Sequence, residues 1–578
     1  MTMPDRRGQN LWIDTDDGFV GATWYWPSQC RARSTVVLLV PGIAHEERAM
    51  SGGLVALAEA LADRGLPALL MDLYGCSQSA GRIEDPDIGL RWRAGIRAAF
   101  GHARATGAAR VVVVGARLGV PRAVDALAGE RLAALVAWAP IVSGKRYVRE
   151  LKVLQRTSEP EAGAIAIGGF SIPASVIDHI SALDLATIES LDAGCVMLRE
   201  MTEALNAPWL ARLRGRGMLV QEQVSTQIHP WLFGDGDQPV LPYEDIQALS
   251  SWCRAFHDQV AGDGELSPLK PAPRPVVEFV HRGQAIRETF VEIGSSKLTG
   301  VLSEPVSTAG QHPARLLMST VGPGRTFADF ARDEASRGRT SLRFDFAGFG
   351  TSGRGNSVQG GELYTDEGSQ DVQAAIQYLR QIGHRDIYGL GFCAGAWSML
   401  QGALTSDLQA AVAINVALYR QPAPAAPSLA RKAGRRLLRR VPVMARSRLI
   451  KKILARLRRK STRRCEPVEW LIRLCNADTR VLLAFAERDP GLDYLNVQLA
   501  KGVHKQLRRP FTVQTYAGLG HLAEGPAART RVFDEIADFF AGLDGEIASP
   551  ARRQKKAFVK SRSPKARSNG KLASAQQR

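Results

Sequence analysis

Two five-residue turns constrain this chain more than any other feature. Gly391-Phe-Cys393-Ala-Gly395 follows a short apolar run, Asp386-Ile-Tyr-Gly-Leu390, and leads into a helix-like segment, Ala396 to Leu404. Gly115-Ala-Arg117-Leu-Gly119 follows Arg110-Val-Val-Val-Val114 and also leads into a helical pattern. A Gly-x-X-x-Gly turn between strand and helix drives its central residue to positive φ. Glycines two residues to either side remove side chains that would clash there. The helix N-terminus behind the Cys393 sulfur favours negative charge. Taken alone the pattern is weak, because glycine is common and seven cysteines are available.

The surrounding order is what gives the turns meaning. Asn10–Asp14 and Phe19–Trp26 read as a hairpin pair. They are followed by the buried strand Thr35–Val40, a helix through Leu54–Leu61, then Pro67–Asp72 and the turn Gly75–Ser79. A helix over Leu90–Ala105, the first elbow and the strand Ala133–Trp138 complete the first series. After a proline-rich stretch at 264–276 the order repeats: Ile286–Glu292, Lys297–Leu302, Ala314–Met318, Thr340–Asp345, a helix around Asp371–Gln381, the second elbow, and Ala410–Asn415. Asp72-Leu-Tyr-Gly-Cys-Ser-Gln-Ser79 answers Asp345-Phe-Ala-Gly-Phe-Gly-Thr-Ser352. The distance from aspartate to elbow centre is 45 residues in one half and 48 in the other. Continuously apolar strands alternating with helices imply a mostly parallel sheet covered on both faces, here built twice. The expected organisation is α/β with residues 1–263 as one domain, 264–276 as a semi-stiff linker, 277–545 as a second domain, and 546–578 as a disordered basic tail.

Composition narrows the function classes. At 578 residues the chain exceeds what one core sustains. The first residues lack an apolar signal-peptide core, and no uncharged apolar run is long enough to span a bilayer. The cysteines are odd in number and scattered, without zinc spacing or a disulfide framework. These readings point to a cytoplasmic chain with no metal or cofactor. The net charge of +18 is localised. Arg431–Arg464 holds 16 Lys/Arg and no acid, and 551–578 holds 10 and no acid, so the remainder is acidic on balance.

Strand, oxyanion turn, strand with Asp-x-x-Gly, then strand, elbow and helix resemble the α/β-hydrolase fold, twice over. The second half carries Gly322-Pro-Gly-Arg325, Leu342-Arg-Phe-Asp-Phe-Ala-Gly-Phe-Gly-Thr-Ser352 and Gly391-Phe-Cys-Ala-Gly-Ala396. It resembles Cys-nucleophile hydrolases of proteobacterial exopolysaccharide clusters, including exosortase-system-associated ones. The first half, with Glu46-Glu-Arg48, Gly115-Ala-Arg-Leu-Gly119 and Trp138-Ala-Pro-Ile-Val-Ser-Gly-Lys145, resembles a companion type from the same setting.

That resemblance implies an acyl-transfer site in the second half, with nucleophile, acid and histidine in that chain order. Cys393 is the nucleophile. Asp489, after the strand Val481–Ala486, is the acid, with Glu487 and Asp493 as substitutes. His521, after Phe511–Tyr516, is the base, set apart from the other histidines of this half (281, 312, 384, 504) by order and setting. Backbone N–H groups of Ala394 and Val321 would form the oxyanion hole. The substrate would be an ester or thioester, small or carrier-linked; a carrier-protein thioesterase is one variant. Each residue also has a structural reading. Cys393 can be a buried inert thiol, His521 a loop or capping residue, and Asp489 the N-cap before Pro490. Asp345 and Ser352 read as turn and capping residues.

In the first half the elbow centre is Arg117, which stays protonated and cannot attack a carbonyl. Cys195–Glu203 lacks a clear acid-strand ending, and His229 follows no obvious final strand. This half is expected to be catalytically inert, with Arg117 either an anion site in the old oxyanion pocket or a partner for a buried acid. If Cys393 were also inert, the whole chain would be a pseudo-enzyme scaffold. A basic insert at about 420–466 sits where this fold places its cap. Its amphipathic arginine-rich pattern over 431–464 fits peripheral attachment to an anionic inner-membrane surface, capture of an anionic substrate, or a plain solvated lid. Without a nucleic-acid module or aromatic interleaving, nucleic acid is not the expected partner. The sequence leaves the oligomeric state open.

Overall fold

The structure is a computed structural model that describes residues 8–28, 35–155, 163–167, 170–188, 191–201, 206–233, 241–260, 269–307, 312–318, 325–353, 363–420, 467–521, 523 and 525–548. Val321, the basic insert over 431–464 and residues 549–578 lie outside these residues; the first three residues of the expected tail, 546–548, instead end the helix Pro526–Ala548. Met1–Val532 form one compact unit and Phe533–Arg578 a second.

The first half contains β1 (Gly8–Thr15), β2 (Gly18–Tyr25), β3 (Thr35–Val40), β4 (Ala68–Met71), β5 (Arg110–Ala116), β6 (Arg131–Leu132), β7 (Ala134–Trp138), β8 (Ile165–Ile167), β9 (Phe170–Ile172), β10 (Asp192–Ala193), β11 (Cys195–Glu200) and β12 (Leu219–Val224). The second contains β13 (Val276–His281), β14 (Gln284–Ile293), β15 (Leu298–Pro305), β16 (Ala314–Met318), β17 (Ser341–Phe344), β18 (Ile387–Phe392), β19 (Ala410–Ile414), β20 (Arg480–Ala486) and β21 (Thr512–Tyr516). The first large sheet runs β1-β2-β4-β3-β5-β7-β11-β12. The second runs β13-β14-β15-β17-β16-β18-β19-β20-β21. Apart from β13 the two orders are the same, with an antiparallel hairpin at one edge and parallel strands from there on. The fold class is therefore α/β, built twice. In β3 the side chains of Val36, Leu38 and Val40 enter one core and those of Val37 and Leu39 another. This is the signature of a sheet covered on both faces.

Two strands depart from the sequence reading. The first sheet does have a final strand, β12, parallel to β11. Leu219-Val-Gln-Glu-Gln-Val224 is polar and largely exposed at the sheet edge, so it lacks the apolar run that marked the others. His229 follows it at the same offset as His521 follows β21, which corrects the expectation that no final strand precedes it.

The end of the proline-rich stretch becomes β13, which adds an outer strand to the second sheet. This stretch is tied to the first half: the Trp12 amide donates to the Arg274 carbonyl (3.0 Å) and Trp12 Nε1 to that of Pro275 (2.9 Å). Trp12 stacks on Phe290 at 4.2 Å, and Phe19 meets Phe279 at 4.9 Å. Deeper in the contact Arg332, only 2% exposed, donates to the carbonyls of Ser79 (3.0 Å) and Gln78 (2.7 Å) and pairs with buried Glu288 (2.8 Å). Arg343 reaches the same Glu288 (2.7 Å) and Gln78 Oε1 (2.8 Å). The two halves thus share an apolar contact and a set of hydrogen bonds from buried arginines, whose charge is balanced by Glu288 within the second half.

Candidate active site

The second elbow takes the strained form that the sequence predicts. Cys393 lies at φ 49, ψ −113, between β18 and the helix Ala394–Ala403. Gly391 is required by close approach, because a Cβ there would lie 2.6 Å from Ala396 Cα. The Cys393 amide donates to the Ile414 carbonyl (2.8 Å), which locks the turn against β19. The sulfur is thereby fixed at the head of the helix, and the residue is 6% exposed. Ala394 stands at the first helical position, where an N–H has no intrahelical acceptor by geometry.

Three elements bring the remaining groups to that sulfur. His521, in the loop after β21, places Nε2 3.4 Å from Cys393 Sγ and Nδ1 2.5 Å from Asp489 Oδ2. Asp489 follows β20 and is buried. Its other oxygen, Oδ1, accepts from the Gly491 amide (2.7 Å), capping the helix Pro490–Ala500. One carboxylate therefore serves as N-cap and as partner of the histidine, and the cap fixes the orientation of the oxygen that faces His521. Glu487 and Asp493 are exposed. The hydrogen bonds to Asp489 and then to Cys393 push the His521 pKa up to about 10, against the opposing effect of burial.

Sequence reasoning missed two residues here. Asn415, fully buried at φ 47, directly follows β19. Its Oδ1 accepts from the Ala486 amide (2.8 Å), and its Nδ2 donates to the carbonyls of Gly520 (3.1 Å) and His521 (2.8 Å). One amide side chain thus ties the acid strand to the histidine loop. The other is Tyr364, whose hydroxyl lies 3.3 Å from Cys393 Sγ. Tyr364 sits at φ 62, a strained setting for a bulky side chain. Neither residue belongs to a local pattern. The one sequence hint for Asn415 was its place at the end of an otherwise apolar strand.

The first half repeats the scaffold with an arginine at the elbow. Arg117 occupies the elbow at φ 51, and its amide donates to the Trp138 carbonyl (3.0 Å), as Cys393 does to Ile414. Its guanidinium is engaged by carboxylates: Nε donates to buried Glu46 (2.8 Å), and a terminal nitrogen lies 3.8 Å from Glu150. The ring of Tyr147 packs against it at 5.5 Å. Arg117 thereby joins the helix Ala44–Asp63 to the helix Gly144–Leu154 over the position a nucleophile would need to keep open. Where the second half has Asn415, the first has Ala139 at φ 49. Strand ends are tied instead through buried Asp245, which accepts from Trp138 Nε1 (3.1 Å), Arg199 Nε (2.8 Å) and Ser225 Oγ (2.6 Å).

Among the described residues no group of His, Cys, Asp and Glu is arranged to hold a metal ion, and no helix is long and apolar enough to cross a membrane.

No protein-family model matches the sequence, and no curated protein matches it. Solved structures do resemble it. Est1E from Butyrivibrio proteoclasticus, with ferulic acid bound, is 19% identical with a TM-score of 0.33, covering 43% of this chain and 98% of that one. An esterase of Pyrococcus furiosus is 18% identical with a TM-score of 0.28, covering 45% and 90%. A protein of unknown function from Agrobacterium tumefaciens, proposed to be an alpha/beta hydrolase, is 15% identical with a TM-score of 0.29, covering 45% and 97%. Likenesses of this size carry no argument about chemistry, which rests on the geometry of the chain itself.

Proposed function

We propose that the protein is a hydrolase or acyltransferase acting on ester or thioester bonds through Cys393, His521 and Asp489. One observation carries this reading: His521 lies within reach of Cys393 Sγ through Nε2 and of buried Asp489 through Nδ1. Asp489 holds the imidazole in one orientation and favours its protonated form. The sulfur attacks the acyl carbonyl carbon, a C–S bond forms, and the carbonyl electron pair moves onto oxygen near the Ala394 N–H. The tetrahedral centre then collapses. His521 gives its proton to the departing oxygen or sulfur, and the bond to the leaving group breaks. Once sulfur is acylated its charge is gone, and with it one of the two interactions that hold the imidazole protonated. The now neutral His521 accepts a proton from water or from an acceptor hydroxyl, which attacks the thioester; the C–S bond breaks and the ion pair returns.

The resemblance to exopolysaccharide-cluster hydrolases suggests an acylated saccharide or a lipid- or carrier-linked acyl group as substrate class. The basic stretch 431–464 would then face an anionic surface or substrate from the cytoplasmic side. In this reading Val321 supplies the second oxyanion donor, and the first half is an inert scaffold because Arg117 fills its elbow. The test is turnover of p-nitrophenyl acyl esters. Cys393→Ala is expected to abolish it, and unchanged turnover in that variant contradicts the proposal.

A further inference from the structure

The environment of the sulfur holds a group that the triad does not use. Tyr364 Oη lies 3.3 Å from Cys393 Sγ, comparable with the His521 contact at 3.4 Å. Its ring is held in place. Trp397, on the elbow helix, meets it edge-on at 5.7 Å and 84°. The Arg420 guanidinium lies 5.2 Å from the ring centroid, and a cation over the ring favours electron withdrawal from the hydroxyl. The backbone at Tyr364 lies at φ 62, and strain maintained beside a reactive atom motivates a hypothesis of function.

We propose that Tyr364 is a catalytic residue, a hydrogen-bond donor to Cys393 Sγ that stabilises the attacking anionic form of the nucleophile. This rests on Cys393 being the nucleophile. A thiolate has several acceptor directions, and an imidazolium and a phenol together satisfy two of them. The phenol keeps its proton throughout. As the C–S bond forms, the charge on sulfur passes to the carbonyl oxygen and the phenol loses its anionic acceptor. Its contribution is therefore to the population of the reactive form. Among the described residues, the charged and titratable groups around this pair are His521 and Asp489 on one side, Arg420 over the ring, and Glu367 and Asp371, which line the small cavity beside Tyr364.

The experiment is the pH dependence of Cys393 alkylation by iodoacetamide, read by mass, alongside ester turnover in the same variants. In Tyr364→Phe the alkylation midpoint is expected to move upward by about one pH unit, as for loss of one hydrogen bond to a charged group. Turnover should fall about tenfold at pH values below the midpoint and approach the parent rate above it. General disruption of the fold would lower the rate equally at all pH. If Tyr364→Phe folds poorly, 3,5-difluorotyrosine at position 364 keeps the shape, strengthens the donor and should move the midpoint down. An unmoved midpoint in both forms, or a loss of rate independent of pH, overturns the proposal. Alkylation needs no substrate, so a parent protein that labels at Cys393 but cleaves no ester refutes the hydrolase reading and leaves this contact to be judged by the midpoint.

Discussion

Replacing Asn415 by alanine should separate placement of the histidine from the fold itself. The side chain makes three hydrogen bonds, one accepted from the Ala486 amide and two donated to the carbonyls of Gly520 and His521. Ala486 is buried at the end of β20, so its N–H would be left without a partner, at a cost of about 1–3 kcal/mol. The carbonyls of the histidine loop are less deeply buried and can turn to water, which adds little energy but frees the loop. The positive φ at 415 is no obstacle, because Ala139 holds the equivalent position at φ 49 in the first half. A displacement of about 1 Å in His521 would cost roughly 100-fold in turnover. The assays are ester turnover and native-state hydrogen exchange at the Ala486 amide. Asn415→Ala is expected to lose about two orders of magnitude in rate and most of the amide protection. Asn415→Asp keeps the acceptor and loses the donors, so it should retain the protection and still lose rate. Turnover within twofold of the parent in Asn415→Ala would refute the idea that this residue positions His521.

Further outcomes rest on the two elbows. Arg117→Ala leaves Glu46 buried without its partner and should destabilise the chain by about 3–5 kcal/mol, seen as a lowered melting temperature. Arg117→Met with Glu46→Leu should recover most of that loss, and neither variant should change ester turnover once folded. His521 has a folded pKa raised to about 10 by Asp489 and then by Cys393. Its contribution to stability is therefore complete below about pH 6.5 and is lost as pH rises through the folded value. The melting difference between the parent and His521→Phe should be largest at pH 6 and shrink toward pH 10. In Cys393→Ala the imidazole, followed by NMR, should titrate lower than in the parent.

The fold was legible where local chemistry was unambiguous. Continuous apolar runs such as Thr35–Val40 and Val481–Ala486 are strands because only a sheet covered on both faces buries every side chain, and β3 and β20 lie there. Glycine spacing encoded both elbows, since a side chain at Gly391 or Gly115 would collide with the following helix. Where burial and periodicity gave no signal, elements were missed. β12 is an exposed polar edge strand, and β13 begins at Val276, at the end of the proline-rich stretch that reads as linker. Chain order and the setting after a strand together distinguished His521 and Asp489. Asn415 and Tyr364 could not be read in advance, because each acts through partners brought near only by the fold, from the loop after β21 and from the elbow. The arginines that join the two halves were hidden for the same reason: Arg332 meets Ser79 and Gln78 from 253 and 254 residues away in the sequence.

The central claim is that Cys393 carries the acyl group during turnover. Rapid quenching of the protein with a p-nitrophenyl ester, followed by peptide mass analysis, tests it most directly. The account predicts a burst of p-nitrophenol with the acyl mass on the peptide containing Cys393, absent in Cys393→Ala and persistent in His521→Ala if that variant acylates at all. Full turnover in Cys393→Ala, or an acyl group found on another residue, would contradict it.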